Sequence, residues 1–544
     1  MKKRGIYYTT DVYATRRNIP ETEIPGAAPF LSVAEYKALL YIDDRVYANW
    51  LRWAKEFLGH VNPYTGFAMK DDPALIALVL VNEANPANVW RASARSEKLY
   101  KERFQEWKKT NPDRNFNSFI SFIAFSLYER MKKDLREFGI KALLSDQNFE
   151  TKLALTEARS HYDFIDNHLY WDHPRFAAKS WCLPATPHQK NAITASPGSP
   201  GRLFPTRQFG KPFTVTEFDY ANPNIYRAAG PSLMSAYAAF QDWDALFPFA
   251  YSHSNASVVD PKRTSGFFDI ATDPIKAFSQ RIGANLFLSG NITPAKQVIA
   301  AIVTDPFRKS GNAEAPKDFV DLGLLARIGS AAVLPVKADA LVEFGTGTNK
   351  SSKIPVFQAD KLLIPNLIKV KLLPESCYDS ANGRFSSPGN ELELNRKTAS
   401  FRVTAPGGEV LVTGKQRSLN GKFLSVENVD GFAVFALLPL DTVSLGSAKR
   451  LTLFHLTNTQ ATGMRFGSSF LDFLESWGEI PFLAKHGTAS VVLNLPGEWI
   501  VFALDSDGRR IGEFKYTGMG NGIRLKLDNF LFQTPVFAYE IVKR

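Results

Sequence analysis

The amino-acid sequence predicts an α/β fold with a parallel sheet in the first half of the chain and an antiparallel β region in the second half. Short apolar runs alternate with long helical patterns up to about residue 290. After that point, short strands follow one another and are separated by Gly, Asn, Asp and Pro. The chain has 544 residues, which is too long for one hydrophobic core, so we expect two or three domains.

Six apolar runs in the first half are the predicted strands of the parallel sheet. They lie at residues 5–10, 74–81, 140–144, 162–166, 213–216 and 246–250. Helical patterns lie between them, at roughly 33–59, 115–137 and 231–242, and a closing helix near 274–287 precedes the domain boundary. Residues 184–212 contain six prolines and predict a long irregular loop, which is typical of a lid or rim over a functional site.

The second half has the texture of a β-sandwich. Residues 399–403 alternate apolar and polar side chains, and Pro406-Gly407-Gly408 and Asn420-Gly421 are turn sequences. We therefore predict a first domain over residues 1–290 and a β-sandwich region over residues 291–544. A break near 455–485 divides this second region into two possible modules.

Composition excludes several classes of protein. Hydrophobic residues make up 45% of the chain, charged residues 22% and aromatic residues 13%, which is a globular balance without bulk disorder. No run approaches the roughly 18 apolar residues that a membrane helix needs, and the first residues contain no apolar signal-peptide core. The net charge of +11 is spread evenly over both halves, which favours a solvated surface over a nucleic-acid groove and leaves an acidic polysaccharide as a weaker alternative. The two cysteines lie far apart, which excludes a disulfide scaffold and a cysteine-based metal cluster.

Two glutamates each end an apolar run. Glu83 comes directly after Asn82 at the end of one run, and Glu217 follows Thr216 at the end of another. Because the carboxyl ends of barrel strands meet at one face, two carboxylates placed there face one pocket. Cleavage of a glycosidic bond needs such a pair, one protonated to assist the leaving oxygen and one ionised to attack or stabilise the anomeric carbon.

These residues resemble the retaining glycoside hydrolases of clan A, and within that clan the family-5-like, cellulase-like enzymes, over about residues 4–290. The resemblance lies in an Asn-Glu pair that ends one strand and a Thr-Glu pair that ends the third strand after it. It implies a (β/α)8 barrel of the TIM type, with Glu83 as the acid/base, Glu217 as the nucleophile and Asn82 as a ligand of the sugar 2-hydroxyl. The pKa of Glu83 is then expected to be the raised one of the pair, because Glu83 lies beside an ionised nucleophile.

Further residues match the clan at shorter motifs. His168-Leu169-Tyr170 resembles its His-x-Tyr element, which implies that Tyr170 donates to the nucleophile and that His168 lines the site. Tyr251 follows the last predicted strand, where clan members place an aromatic platform under the sugar; a place in the core is the alternative. Asp11 and Asn148 end earlier strands and are candidate substrate ligands, although such residues often only cap the following helix.

The chain departs from the clan at its start. The Asn82 strand should be the fourth of eight, but only one predicted strand precedes it, so the six strands map as the third to the eighth. We therefore expect an incomplete barrel with the Ile6 strand at an edge, because closure needs every strand. The arginine that the clan's second strand brings near the nucleophile has no candidate. Clan members act mainly outside the cytoplasm, which implies a secreted or periplasmic protein, although this chain shows no signal peptide.

The resemblance implies a retaining β-glycoside hydrolase that cleaves poly- or oligosaccharides by double displacement, without a cofactor or a metal. A carbohydrate is the expected partner, and neither nucleic acid nor a membrane is expected. Two alternatives stay open. One is a non-catalytic carbohydrate-binding or scaffold protein on a degenerate barrel, and the other is a transglycosylase that uses the same two glutamates.

Overall fold

The computed structural model describes residues 2–27, 29–149, 152–259, 266–303, 314–332, 336–344, 354–442 and 444–544. Within these residues, the chain forms α/β structure up to about residue 370 and antiparallel β structure after it. In the described part of the chain, no helix is both long enough and apolar enough to cross a lipid bilayer. Cys182 is exposed, Cys377 is buried, and both are free thiols.

The α/β part carries strands β1 to β14 and helices α1 to α11. The strands are Tyr8–Asp11, Ile19–Pro20, Phe30–Leu31, Leu75–Val79, Leu143–Ser145, Ile165–Trp171, Arg175–Phe176, Ala185–Thr186, Phe213–Tyr220, Ala245–Pro248, Val298–Ile302, Arg327–Ala331, Ala340–Glu343 and Val356–Gln358. The helices are Val33–Leu39, Asp44–Gly59, Pro86–Val89, Ala94–Thr110, Phe116–Glu137, Thr156–Arg159, Gly230–Phe240, Ala256–Val259, Pro274–Leu288, Lys317–Leu322 and Leu363–Lys369. Local sequence explains their starts: Asp43 before α2 and Asp273 before α9 accept backbone N–H groups of the first turn.

Six of these strands form two parallel three-stranded sheets, in the orders β1-β4-β5 and β10-β9-β6. They correspond to the six predicted strands, and β1 lies at an edge as expected. The sheets meet where the Asp163 N–H, just before β6, donates to the Leu144 carbonyl of β5 at 2.9 Å. Among the described residues, no strand pairs with the outer edges of β1 and β10, so the structure shows two open sheets and does not show a closed barrel. Ile76, Leu143 and Phe247 on these strands are accordingly 38% to 48% exposed.

Helices pack against the sheets through buried aromatic side chains. Trp50 of α2 is fully buried, and its Nε1–H donates to the Leu80 carbonyl just beyond β4 at 3.3 Å. Tyr128 of α5 is also fully buried, and its hydroxyl donates to the Leu144 carbonyl of β5 at 3.1 Å. These bonds hold two helices against the strands that lead into the candidate site.

Residues 298–358 differ from the prediction of a β-sandwich from residue 291. They form a third parallel sheet, in the order β12-β11-β13-β14, with α10 between β11 and β12 and α11 after β14. The predicted antiparallel structure is therefore wrong for this segment. Strands β11 and β13 are largely buried, and short apolar runs of this kind look the same in a buried parallel sheet and in a sandwich core.

Two antiparallel sheets follow. The larger has ten strands, in sheet order Tyr378–Asp379, Arg384–Ser386, Leu392–Asn395, Ser400–Ala405, Gly408–Thr413, Ala433–Pro439, Arg450–Leu456, Ala538–Lys543, Trp499–Leu504 and Arg510–Glu513. The smaller has five: Leu419–Asn420, Leu424–Glu427, Thr488–Leu493, Gly522–Asp528 and Thr517–Met519. Phe435 and Leu453 of the larger sheet share one hydrophobic cluster with Val491 and Leu525 of the smaller. A shared core of this kind is what a sandwich of two sheets requires.

Residues 459–484, which we call the arm, leave the antiparallel region and contact the α/β part. Arm strands Arg465–Phe466 and Leu474–Ser476 join β8 and β7 in one sheet, in which Leu474 pairs with Ala185. Arm strands Thr459–Thr462 and Glu479–Ala484 pair with each other. The predicted break near 455–485 does not separate two modules, because Arg450–Leu456 before it and Trp499–Leu504 after it lie in the same ten-stranded sheet.

Candidate active site

The two predicted glutamates come together from different sheets. Glu83 lies in the loop after β4, and Glu217 lies within β9. One carboxylate oxygen of each and one ring nitrogen of His168 all lie within 4.8 Å of one another. The Glu83 side chain is 34% exposed, that of Glu217 16% and that of His168 1%. Both glutamate side chains are therefore mostly buried but remain partly accessible to solvent.

The backbone at Glu83 is held in an uncommon conformation. Its φ is 50°, in the left-handed region that residues other than glycine rarely adopt. Its N–H donates to Oδ1 of Asn148 at 2.7 Å, and the Asn82 N–H donates to the Tyr13 carbonyl at 2.8 Å. The fully buried Asn148 thus positions Glu83, a contact that the sequence did not predict. Oδ1 of Asn82 is buried and has no hydrogen-bond partner in the described part of the chain.

Tyr170 supports Glu217. The Tyr170 hydroxyl donates a short hydrogen bond to Oε2 of Glu217 across the parallel pair of β6 and β9. Burial raises the pKa of Glu217, and the charge of His168 and the Tyr170 hydrogen bond oppose that rise. Burial and the negative charge of Glu217 raise the pKa of Tyr170 far above its ordinary value, so the phenol keeps its proton and remains a donor.

His168 lies between the two glutamates. Its Nδ1 is 3.1 Å from Oε1 of Glu83 and 3.5 Å from Oε2 of Glu217. Burial lowers the pKa of His168, but its hydrogen bond with Glu83 and the surrounding carboxylates outweigh burial and raise the pKa. Burial raises the pKa of Glu83, but His168, Lys37 and His173 outweigh it and lower the pKa below its ordinary value. The expectation that Glu83 has the raised pKa of the pair is therefore wrong, because it did not count His168 as a positive neighbour.

A buried carboxylate lies behind His168. Asp166 of β6 is fully buried and accepts hydrogen bonds from the Thr214 hydroxyl at 2.6 Å, from the Thr216 N–H at 3.1 Å and from the Thr216 hydroxyl. The Thr216 hydroxyl also lies 3.0 Å from Nε2 of His168. Burial raises the pKa of Asp166, and the charge of His168 opposes that rise. Asp166, Thr216 and His168 therefore form a continuous chain that ends at Glu83.

Asp11 and Lys37 complete the charged surroundings. Asp11 ends β1, and burial together with Asp166 and Glu217 raises its pKa to about 7 although His168 opposes the rise. Lys37 of α1 is 6% exposed. Burial lowers its pKa, and the charges of Glu83, Asp11 and Glu217 counter the shift. The sequence did not single out Lys37, because a lysine in a helical pattern is normally solvated; its place among the buried residues of a short helix is visible only in the structure.

The aromatic surface beside the site differs from the expected one. Tyr251 is 66% exposed, and Phe249, two residues before it, is the side chain that packs edge-on against Tyr170 with ring centres 5.9 Å apart. Trp181, in the loop after β7, is 55% exposed, and its ring centre is 5.6 Å from that of His173. His173 lies 5.7 Å from Tyr170, so Trp181 extends an aromatic surface outward from the carboxylates. Sequence reasoning missed Trp181, because no motif distinguishes an exposed tryptophan from a core one.

Among the described residues, one group of acidic and histidine side chains lies close enough together to bind a single cation. It consists of Glu83, His168 and Glu217. Hydrogen bonds join Oε1 of Glu83 to Nδ1 of His168, Nε2 of His168 to the Thr216 hydroxyl, and the Tyr170 hydroxyl to Oε2 of Glu217. The arrangement fits acid–base and nucleophilic chemistry.

Comparisons with known proteins give remote similarity. No family model matches the chain, and no curated protein matches it. An endo-β-1,4-mannanase of Thermotoga petrophila is similar at 15% identity and a TM-score of 0.35, over 55% of this chain and 63% of that chain. A family 5 mannosidase of Rhizomucor miehei is similar at 13% identity and a TM-score of 0.27, over 46% and 61%. A rhamnosidase of Novosphingobium sp. PP1Y is similar at 11% identity and a TM-score of 0.30, over 91% and 47%. These similarities are too weak to indicate a function. The function must therefore be inferred from the geometry of the site.

Proposed function

We propose that this protein is a retaining β-glycoside hydrolase in which Glu217 is the nucleophile and Glu83 the acid/base. The observation that carries the proposal is the approach of one oxygen of each carboxylate to within 4.8 Å, with a tyrosine hydroxyl bonded to one and an imidazole to the other. Retaining enzymes place their carboxyl groups about 5 to 5.5 Å apart, whereas inverting enzymes leave about 6.5 to 9.5 Å for a water molecule. The geometry supports retention.

The roles follow from the surroundings of each carboxylate. Glu217 accepts from Tyr170 and has charged His168 nearby, and both stabilise its ionised form, which is the form that attacks the anomeric carbon. Glu83 is the more exposed of the two, so it can reach the glycosidic oxygen of a bound sugar chain. In the first step the leaving oxygen takes a proton from Glu83 as the bond from Glu217 to the sugar forms. In the second step Glu83 removes a proton from water, and that water releases the sugar from Glu217.

The substrate is proposed to be a poly- or oligosaccharide. Asn82, directly before the acid/base in the chain, is the proposed ligand of a sugar hydroxyl near the reacting carbon. Exposed Trp181 provides an apolar ring face of the type on which sugar rings stack. Asp11 and Tyr251 are proposed to contact more distant hydroxyls, Asp11 from β1 and Tyr251 from the loop after β10.

A panel of 2,4-dinitrophenyl and 4-nitrophenyl β-glycosides tests the proposal. Release of the phenol with retention at the anomeric carbon, observed by proton NMR, is the expected result. Glu217→Gln should abolish turnover of every substrate, and Glu83→Gln should harm least the substrates with the best leaving groups. Glu102→Gln, on the exposed side of α4, is the matched control and should retain wild-type rates.

The same panel separates the alternatives. A protein that binds oligosaccharides and converts none of them would be the non-catalytic binding protein instead. Transfer of the sugar to an added sugar acceptor in preference to water would identify a transglycosylase. Products of inverted configuration, or full activity of Glu217→Gln, would refute the assignment of Glu217 as nucleophile.

A further inference from the structure

We propose that Glu83 and His168 share one exchangeable proton and supply it to the leaving group as a couple, with Thr216 and Asp166 fixing the orientation of the imidazole. His168 is then a positioning residue that acts through Glu83. This inference deepens the proposed function and rests on it. In the proposed function Glu83 alone is the general acid, whereas here Glu83 and His168 supply the proton together.

The chain behind His168 decides which ring nitrogen carries a fixed proton. The Thr216 hydroxyl has one proton, which it donates to Asp166, so its oxygen can only accept from His168. Nε2 of His168 is therefore protonated as long as Asp166 is ionised and accepts the Thr216 hydroxyl proton. Asp166 holds Thr216 in this role at two points, because it also accepts the Thr216 backbone N–H at 3.1 Å.

Nδ1 is therefore the ring atom that can gain or lose a proton. It lies 3.1 Å from Oε1 of Glu83, which is hydrogen-bonding distance, and at 3.5 Å it lies farther from Oε2 of Glu217. Tyr170 already donates to Oε2 of Glu217, so Glu83 is the better partner of Nδ1. Either the imidazolium donates to an ionised Glu83, or a protonated Glu83 donates to a neutral imidazole. Both states hold one proton between the same two atoms.

The charges that face this couple favour keeping the proton there. His168 faces the carboxylates of Glu83, Glu217, Asp166 and Asp11. Glu83 faces positive Lys37 as well as His168. The carboxylates favour the imidazolium, and the positive groups favour an ionised Glu83, so the resting proton lies on His168. This agrees with the raised pKa of His168 and the lowered pKa of Glu83.

The proton count balances over the reaction. As the glycosidic bond breaks, the leaving oxygen takes the proton from Glu83, and Glu83 takes the Nδ1 proton from His168. The couple is then a neutral imidazole, protonated on Nε2, beside an ionised glutamate. When water attacks the glycosyl-enzyme, Glu83 accepts a water proton and the couple returns to its starting state, so no other donor is needed.

Nitrogen NMR of the protein labelled at its histidines tests the shared proton without requiring activity. In the wild type, His168 should titrate above pH 6.5 and keep a protonated Nε2 when neutral. Glu83→Gln should move this titration to lower pH by about one unit or more, because burial then acts without its main opposing partner. Thr216→Val should abolish the tautomer preference. An unchanged titration in Glu83→Gln, or a neutral ring protonated on Nδ1, would overturn the inference.

Kinetics supply the second readout. His168→Asn should lose activity on the order of 100-fold or more for alkyl glycosides but less than about 10-fold for dinitrophenyl glycosides, which need little proton transfer. The basic limb of kcat/KM should also move to lower pH, because Glu83 alone then holds the proton. His60→Asn, an exposed histidine at the end of α2, is the matched control.

Together, the NMR titration and the kinetics distinguish a failure of the shared-proton inference from a failure of the proposed function. An equal loss for all leaving groups, with an unchanged pH profile, would show a purely structural role for His168 and leave the proposed function intact. A wild-type protein that cleaves no glycoside would refute the proposed function, and the NMR titration would still decide whether the proton is shared.

Discussion

Replacing Tyr170 by phenylalanine removes one hydroxyl, and its effect can be worked out from a single hydrogen bond. Tyr170 donates to Oε2 of Glu217, a carboxylate that is 16% exposed and otherwise has His168 as its main positive neighbour. A hydrogen bond to a charged group contributes about 1.5 to 3 kcal/mol, and one pKa unit corresponds to about 1.4 kcal/mol. Losing it should therefore raise the pKa of Glu217 by about 1 to 2 units.

The sign of the pH effect follows from the proposed role of Glu217 as nucleophile. The nucleophile must be ionised, so activity is lost as the pH falls through its pKa, and a raised pKa moves that loss to higher pH. The assay is kcat/KM for a dinitrophenyl β-glycoside between pH 4 and 9, where the acidic limb of Tyr170→Phe should lie about 1 to 2 units above that of the wild type. Tyr64→Phe, at a side chain 96% exposed, is the control. An acidic limb that coincides with that of the wild type would refute the reasoning.

Three further predictions concern other features. Lys276 and Asp219 are each 1% exposed and form an ion pair. Lys276→Met should therefore lower the free energy of unfolding, measured by denaturant titration, by about 3 to 5 kcal/mol. The double variant Lys276→Met/Asp219→Leu should recover part of this loss. Asn148→Ala removes the acceptor of the backbone N–H of Glu83, the proposed acid/base, whose φ of 50° is uncommon, and should lower kcat more than it changes KM. Carboxylates outnumber cations in the site, and burial raises the pKa of Asp11 to about 7. Neutral glycosides should therefore be cleaved faster than matched uronides, with a preference that grows above pH 7.

The sequence predicted the part of the site that lies along strands. Glu83 and Glu217 follow apolar runs, and Tyr170 lies two residues after His168 on a strand whose neighbour carries Glu217. Strand geometry places alternate side chains on one face, so His168 and Tyr170 point the same way and reach the same glutamate. The six parallel strands were predictable because each is a short apolar run that alternates with helical patterns along the chain.

What the sequence could not show depends on contacts between distant segments. Lys37 comes from a helix and Asn148 from a loop, and no spacing rule links either one to Glu83. The lowered pKa of Glu83 follows from the placement of His168, 85 residues away. The parallel sheet of residues 298–358 was missed because its short strands are too apolar to show a two-residue alternation.

The arm connects the C-terminal region to the side chains that pack around Tyr170. Arg227 donates to Oδ1 of Asn458 at 2.6 Å and to the Thr459 carbonyl at 3.0 Å, which anchors the start of the arm to the α/β part. Trp477 of the arm packs against Phe267, with ring centres 4.7 Å apart, in the cluster that also supports Tyr170. Exchange of the C-terminal region would therefore change the packing around Tyr170 without altering either glutamate, so the geometry of the candidate site depends on both parts of the chain.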